Sequence, residues 1–169
     1  VKRIFNLLIL ILFPLIALGA LFWYLHVRNL LPTDIDNQEA KALEFKDNTL
    51  QCPQCHMYLV GKNDTVQIIT HEHKTHFFDD PGCAILWLKA QKIDPKEVTF
   101  WVFSKDTKRY IDAKKAHFSF IDTTPMMYGF GAYENDKEQT IDFEEMRLRM
   151  LRGETLQDPK IRQHLLKGH

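Results

Sequence analysis

Two cysteines, a histidine and a methionine fall close together in Gln51-Cys52-Pro53-Gln54-Cys55-His56-Met57-Tyr58-Leu59-Val60. C-x-x-C brings two sulfurs to one side of a tight turn, within reach of one metal ion or of each other. Met57 adds a soft, neutral thioether, which suits Cu(I) better than zinc, and His56 offers a borderline nitrogen next door. On an extended segment Cys55 and Met57 also share one side, because side chains alternate along a strand. Redox chemistry instead calls for C-x-x-C at the start of a helix that follows a buried strand. Glu44 to Leu50 does not read as a buried strand, and Tyr58-Leu59-Val60-Gly61 is β-prone and ends at a glycine. A zinc ribbon wants a second pair of cysteines or histidines. Cys83 is the only other cysteine, so zinc would have to borrow histidines. The plain alternatives are a disulfide, or a turn in which Met57 is core. On these residues alone copper, zinc, a dithiol and a structural turn all stay open.

Other chemistry-bearing residues are scattered. His71, His73 and His76 crowd one stretch, where they are either ligands or solvated turn residues. Cys83 lies near an expected helix start, as an acidic thiol or as a small core residue, the commoner fate of a lone cysteine. Thr124-Pro125-Met126-Met127-Tyr128-Gly129 supplies paired methionines beside a proline and a glycine. They are core filler, or a second thioether donor folded back on Cys55 and Met57.

The elements that must position these residues follow from periodicity and caps. Lys2 and Arg3 precede an apolar run from Ile4 to Leu25, with Trp23 and Tyr24 at its far end. That run is about long enough to cross a bilayer as a helix. A retained signal-anchor over 1–28 is expected, with the rest outside the cytoplasm. Ala17-Leu18-Gly19 resembles a cleavage site, but the apolar run continues past it. A polar linker is expected over 29–49. Next come a hairpin, Thr65–Thr70 and Thr75–Phe78, then a helix opened by Asp79-Asp80-Pro81. A strand over Val98–Phe103 and further strands through Ala116–Ile121 follow. A helix from about Thr140 to Arg152 closes the domain, with acids first, arginines last and Gly153 as its stop. A short helical tail over 153–169 ends the chain. Hairpins around a helix make this an α+β fold.

The 22 basic and 22 acidic side chains cancel, which leaves no basic footprint for nucleic acid. No serine-histidine-acid set and no phosphate loop is present.

Three pieces in order resemble the NosL family, copper-binding accessory proteins of nitrous oxide reductase maturation. They are Cys55-His56-Met57, Phe77-Phe78-Asp79-Asp80, and Thr124-Pro125-Met126 followed by Gly129. The resemblance covers roughly Leu50 to Arg152 (domain 50–152). It implies a tandem ββαβ fold related to that of organomercurial lyase. It also implies a Cu(I) carrier rather than an enzyme, with Cys55 and Met57 as ligands, Met126 next, and Cys52 and His56 as further candidates. Its setting would be the periplasmic face of the inner membrane, with an unnamed copper donor and nitrous oxide reductase as the expected client. The chain departs from the family in two ways: an apolar anchor where many members are lipoproteins, and Cys52, which the minimal motif lacks. A thiol-disulfide oxidoreductase using Cys52 and Cys55 and a structural zinc module for a protein partner are the alternatives.

Overall fold

The protein is described by a computed structural model covering residues 2–28 and 33–167. The first linker residues, 29–32, and the tail end, 168–169, lie outside the described residues. The chain divides into Val1–Leu31 and Pro32–His169.

The first unit is one helix, α1 (Lys2–Arg28), with Pro14 inside it. Its leucines, alanines and aromatics are adequate helix formers, and the proline costs one backbone hydrogen bond. Among the described residues no helix is long and apolar enough to cross a membrane. The expected transmembrane helix is therefore not met among the described residues.

The second unit is α+β. Strands β1 (Asp34–Asp36), β2 (Val66–Ile69), β3 (Lys74–Phe78), β4 (Thr99–Phe103) and β5 (Tyr110–Asp112) form one antiparallel sheet, ordered β1-β3-β2-β4-β5. Helix α2 (Pro81–Gln91) follows β3. A second sheet, β7-β6-β8, is built from β6 (His117–Ser119), β7 (Ala132–Tyr133) and β8 (Thr140–Ile141). Helices α3 (Phe143–Arg152) and α4 (Pro159–Lys167) come last.

The expected hairpin and the helix after it are present, so β2-β3-α2-β4 forms one ββαβ unit. The second half departs from the pattern. Among the described residues α3 is followed by α4, and no strand returns to the second sheet.

Part of the stretch expected as linker is fixed to the first sheet. β1 pairs with β3, and the Gln67 side chain, fully buried in β2, both accepts from Leu43 N and donates to Leu43 O at 2.8 Å. Trp101 Nε1 donates to Ala40 O at 3.0 Å. The core gathers Phe77, Phe78, Ile85, Phe100, Phe118 and Met146 between the sheets and helices.

Local signals set the helix ends. Asp80 caps α2 ahead of Pro81, and Lys92 closes it in the left-handed region. Asp142 Oδ1 accepts from Glu145 N at 2.8 Å at the start of α3, and Gly153 (φ 75) ends it. The two sheets are joined through Lys105. Its Nζ pairs with Asp64 at 3.0 Å and Asp122 at 2.9 Å, and its backbone N donates to Ala132 O at 2.8 Å.

His76 of β3 lies against the Trp87 ring, 4.6 Å between centroids, and its Nδ1 is buried without a hydrogen-bond partner. Burial lowers its pKa below the ordinary 6.5. The unfolded chain therefore takes up a proton near pH 6.5 that the fold resists. Its contribution to stability is full above that value and is lost as pH falls toward the lower folded value. Denaturant midpoints measured from pH 7 down to 5 should fall more steeply for wild type than for His76→Gln; parallel curves would contradict the assignment.

Candidate metal centre

The sulfur-bearing turn is a small hairpin of its own. Gln51 and Tyr58 form an isolated antiparallel bridge, and Leu59 N donates to Leu50 O at 3.1 Å. Inside it Cys52 N donates to Met57 O, and His56 N donates back to Cys52 O, both at 2.9 Å. The loop tightens by placing His56 at φ 63, in the left-handed region. Backbone N–H groups of Cys55 and Asp79 help lower the Cys52 pKa, and that of Met57 acts the same way on Cys55. Such donors favour thiolates, the form that binds metal.

Two further donors come from elsewhere. Asp79 follows the end of β3, and Cys83 lies in the first turn of α2. The sulfurs of Cys52, Cys55 and Cys83 and an oxygen of Asp79 all lie within 4.8 Å of one another. Cys52, Cys83 and Asp79 are buried; Cys55 is half-buried and is the way in. Cys55 Sγ donates to Asp79 Oδ1 at 3.2 Å, while Asp79 Oδ2 is buried with no hydrogen-bond partner. A buried carboxylate oxygen left unmatched is costly, and a cation among the donors would satisfy it.

Electrostatics fit a shared site. The three thiols are free and hydrogen-bond among themselves, so the cluster favours a single anion. Hydrogen bonds from Cys55 and Cys83 draw Cys52 far down, and that anion then pushes Cys55 to about 12 and Cys83 up as well. Burial, reinforced by Cys52, raises Asp79 to about 7. A cation would supply the charge needed to deprotonate the remaining groups.

The neighbouring Asp80 holds the geometry. Its fully buried carboxylate accepts from Gly82 N at 2.8 Å and from Met126 N at 3.1 Å. This fixes the first turn of α2 and pins the 124–128 loop against it. The Tyr128 ring lies on Gly82 so closely that a Cβ there would sit 2.2 Å from Tyr128 Cδ2 and 2.8 Å from Met150 Sδ. Only glycine lets that ring cover the helix start beside Cys83.

Of the residues expected from sequence, Cys52 and Cys55 meet as ligands would. Cys83, equally readable as a core residue, joins them. Asp79 is a donor that the sequence does not single out; it stands there only in the acidic pair before Pro81, of which Asp80 is the cap, and in the Phe77-Phe78-Asp79-Asp80 piece of the resemblance. His56 is exposed and outside the cluster, because the left-handed turn is made with its backbone and points its side chain to solvent. Met57 is 41 % exposed, and Met126 is half-buried against the core, tied to the site through its backbone N. His71 and His73 are exposed at the hairpin tip, outside the cluster.

The left-handed His56 gives a direct test of the turn. A non-glycine residue there carries about 1–2 kcal/mol of strain. His56→Gly should keep metal binding and leave stability unchanged or slightly raised, as read by a denaturant midpoint. Loss of binding would return His56 to the ligand set. No family model, no characterised protein and no solved structure matches this chain.

Proposed function

We propose that the domain carries a soft, thiophilic metal ion, Cu(I), bound by Cys52, Cys55 and Cys83. One observation carries this proposal: three sulfurs and a carboxylate from three separate elements converge within 4.8 Å, and only Cys55 is open to solvent. Thiolates are the preferred donors for Cu(I), and a three-sulfur set leaves the metal undercoordinated and exchangeable. Asp79 accepts the Cys55 S–H hydrogen bond and takes part as the thiol proton leaves on loading. Release runs the other way, by an incoming donor that exchanges first with Cys55. Exposed Met57 next to Cys55 offers a thioether for that exchange, and Met126 is held nearby through Asp80.

The likeness to NosL proteins in the sequence extends this proposal. On that likeness the fold is a divergent tandem ββαβ, and the domain delivers copper outside the cytoplasm with nitrous oxide reductase as client. On the same likeness it is a carrier held at the outer face of the inner membrane and not an enzyme. The likeness alone supports these points.

Asp79 favours a second reading. Three sulfurs and one oxygen make a four-donor set, the number a closed structural zinc site uses, and carboxylate is a poor ligand for Cu(I). Thioredoxin-type chemistry fits less well, since the C-x-x-C lies in a hairpin loop and not at a helix start.

The reduced full chain should take one Cu(I) in competition with a chromophoric chelator. Cys83→Ser should weaken binding by more than the roughly 10–100-fold that losing a supporting hydrogen-bond partner costs. Met57→Leu should cost less than Cys83→Ser. Failure to compete for Cu(I), together with tight Zn(II) binding and unfolding on chelation, would establish the zinc site instead.

A further inference from the structure

The same cluster has a second chemistry that needs no metal. We infer that Cys55 is an oxidation site for hydroperoxides and that Cys52 resolves it as a disulfide, leaving Cys83 as a free thiol. All three sulfurs lie within 4.8 Å, and all three cysteines are free. Cys52 and Cys83 are fully buried while Cys55 is only half-buried, so an oxidant from solvent meets Cys55 first.

The Cys52 thiolate takes the Cys55 S–H proton as the Cys55 sulfur attacks one peroxide oxygen and the O–O bond breaks. The departing oxygen takes a proton from solvent and leaves as water or alcohol, and Cys55 becomes a sulfenic acid. The Cys52 sulfur then attacks the Cys55 sulfur. The S–S bond forms, the S–O bond breaks, and the hydroxyl leaves with the Cys52 proton as water. In sum, two thiols and one hydroperoxide give one disulfide, one alcohol or water, and one water.

Geometry selects Cys52 over Cys83. Cys52 and Cys55 lie on one short loop, closed by Cys52 N to Met57 O and His56 N to Cys52 O. Closing the sulfurs to the ~2.05 Å of a disulfide needs movement in that loop alone. Cys83 sits in a helix turn fixed by Asp80 and covered by Tyr128 on Gly82, so bringing it in would move α2. Oxidation removes two of the three sulfur donors and leaves Cys83 with Asp79, too few to hold a soft metal. That consequence rests on the carrier function proposed above; the thiol chemistry does not.

The test uses the reduced, metal-free full chain and hydrogen peroxide. Expected results are loss of two of the three thiols, an intact mass lower by two hydrogens, and a digest linking Cys52 to Cys55, all reversed by dithiothreitol. Cys52→Ser should stop at a sulfenic acid that dimedone traps on Cys55. Three surviving thiols, a linkage through Cys83, or Cys55 sulfinic acid beside a free Cys52 would each overturn the inference. If Cys52→Ser does not fold, the wild-type digest decides alone. None of these readouts involves metal, so they fail separately from copper binding. Protein oxidised this way should then take up no Cu(I), and regain uptake on reduction.

Discussion

The Asp80 carboxylate is buried completely, and much of the site depends on how that burial is compensated. A carboxylate taken out of water is costly unless donors surround it. Here Gly82 N and Met126 N supply them, and burial still raises its pKa to about 6. One side chain thus starts α2 and anchors a loop more than forty positions downstream. Asp79 and Cys83 flank it in sequence, so fixing Asp80 also fixes where those two donors can be. Tyr128 then covers the helix start because Gly82 has no side chain to oppose it. Asp79 and Cys83 are thus held in place by the fold itself.

Against this rigid side stands the lighter hairpin around Cys52 and Cys55, with one isolated bridge and a few backbone hydrogen bonds. The contrast suits a carrier. Cys83 and Asp79 belong to the fixed wall, while Cys55 lies on the more open loop, where the proposed carrier would release its metal. The same asymmetry governs the thiol chemistry, because the pair on the movable loop can approach more cheaply than either can approach the helix.

Much of this was legible in the sequence, and the remainder was hidden for physical reasons. The Thr65–Phe78 hairpin, the Asp-Pro start of α2 and the acid-to-base order of α3 are local signals, and each formed as local chemistry dictates. Cys52 and Cys55 were visible because their spacing is itself local. Asp79 reaches Cys55 across 24 positions, a contact made only when β3 and α2 pack, and no spacing rule announces it. Cys83 looked like any small buried residue until the fold put two sulfurs beside it. His56 resembled a ligand by type, yet its position demanded a left-handed backbone. The segment near Leu43 read as polar linker because its attachment runs through the buried Gln67 side chain and not through an apolar stripe. The strand that would complete a second ββαβ unit was expected from likeness alone, and β8-α3 runs into α4 instead.

The central claim is that three sulfurs from two distant segments surround one metal ion. X-ray absorption at the copper edge of the Cu(I)-loaded full chain tests it most directly. The account predicts a first shell of three sulfurs that drops to two in Cys83→Ser. A shell containing imidazole nitrogen, or one unchanged by Cys83→Ser, would contradict it and move the metal out to the exposed His56 and Met57.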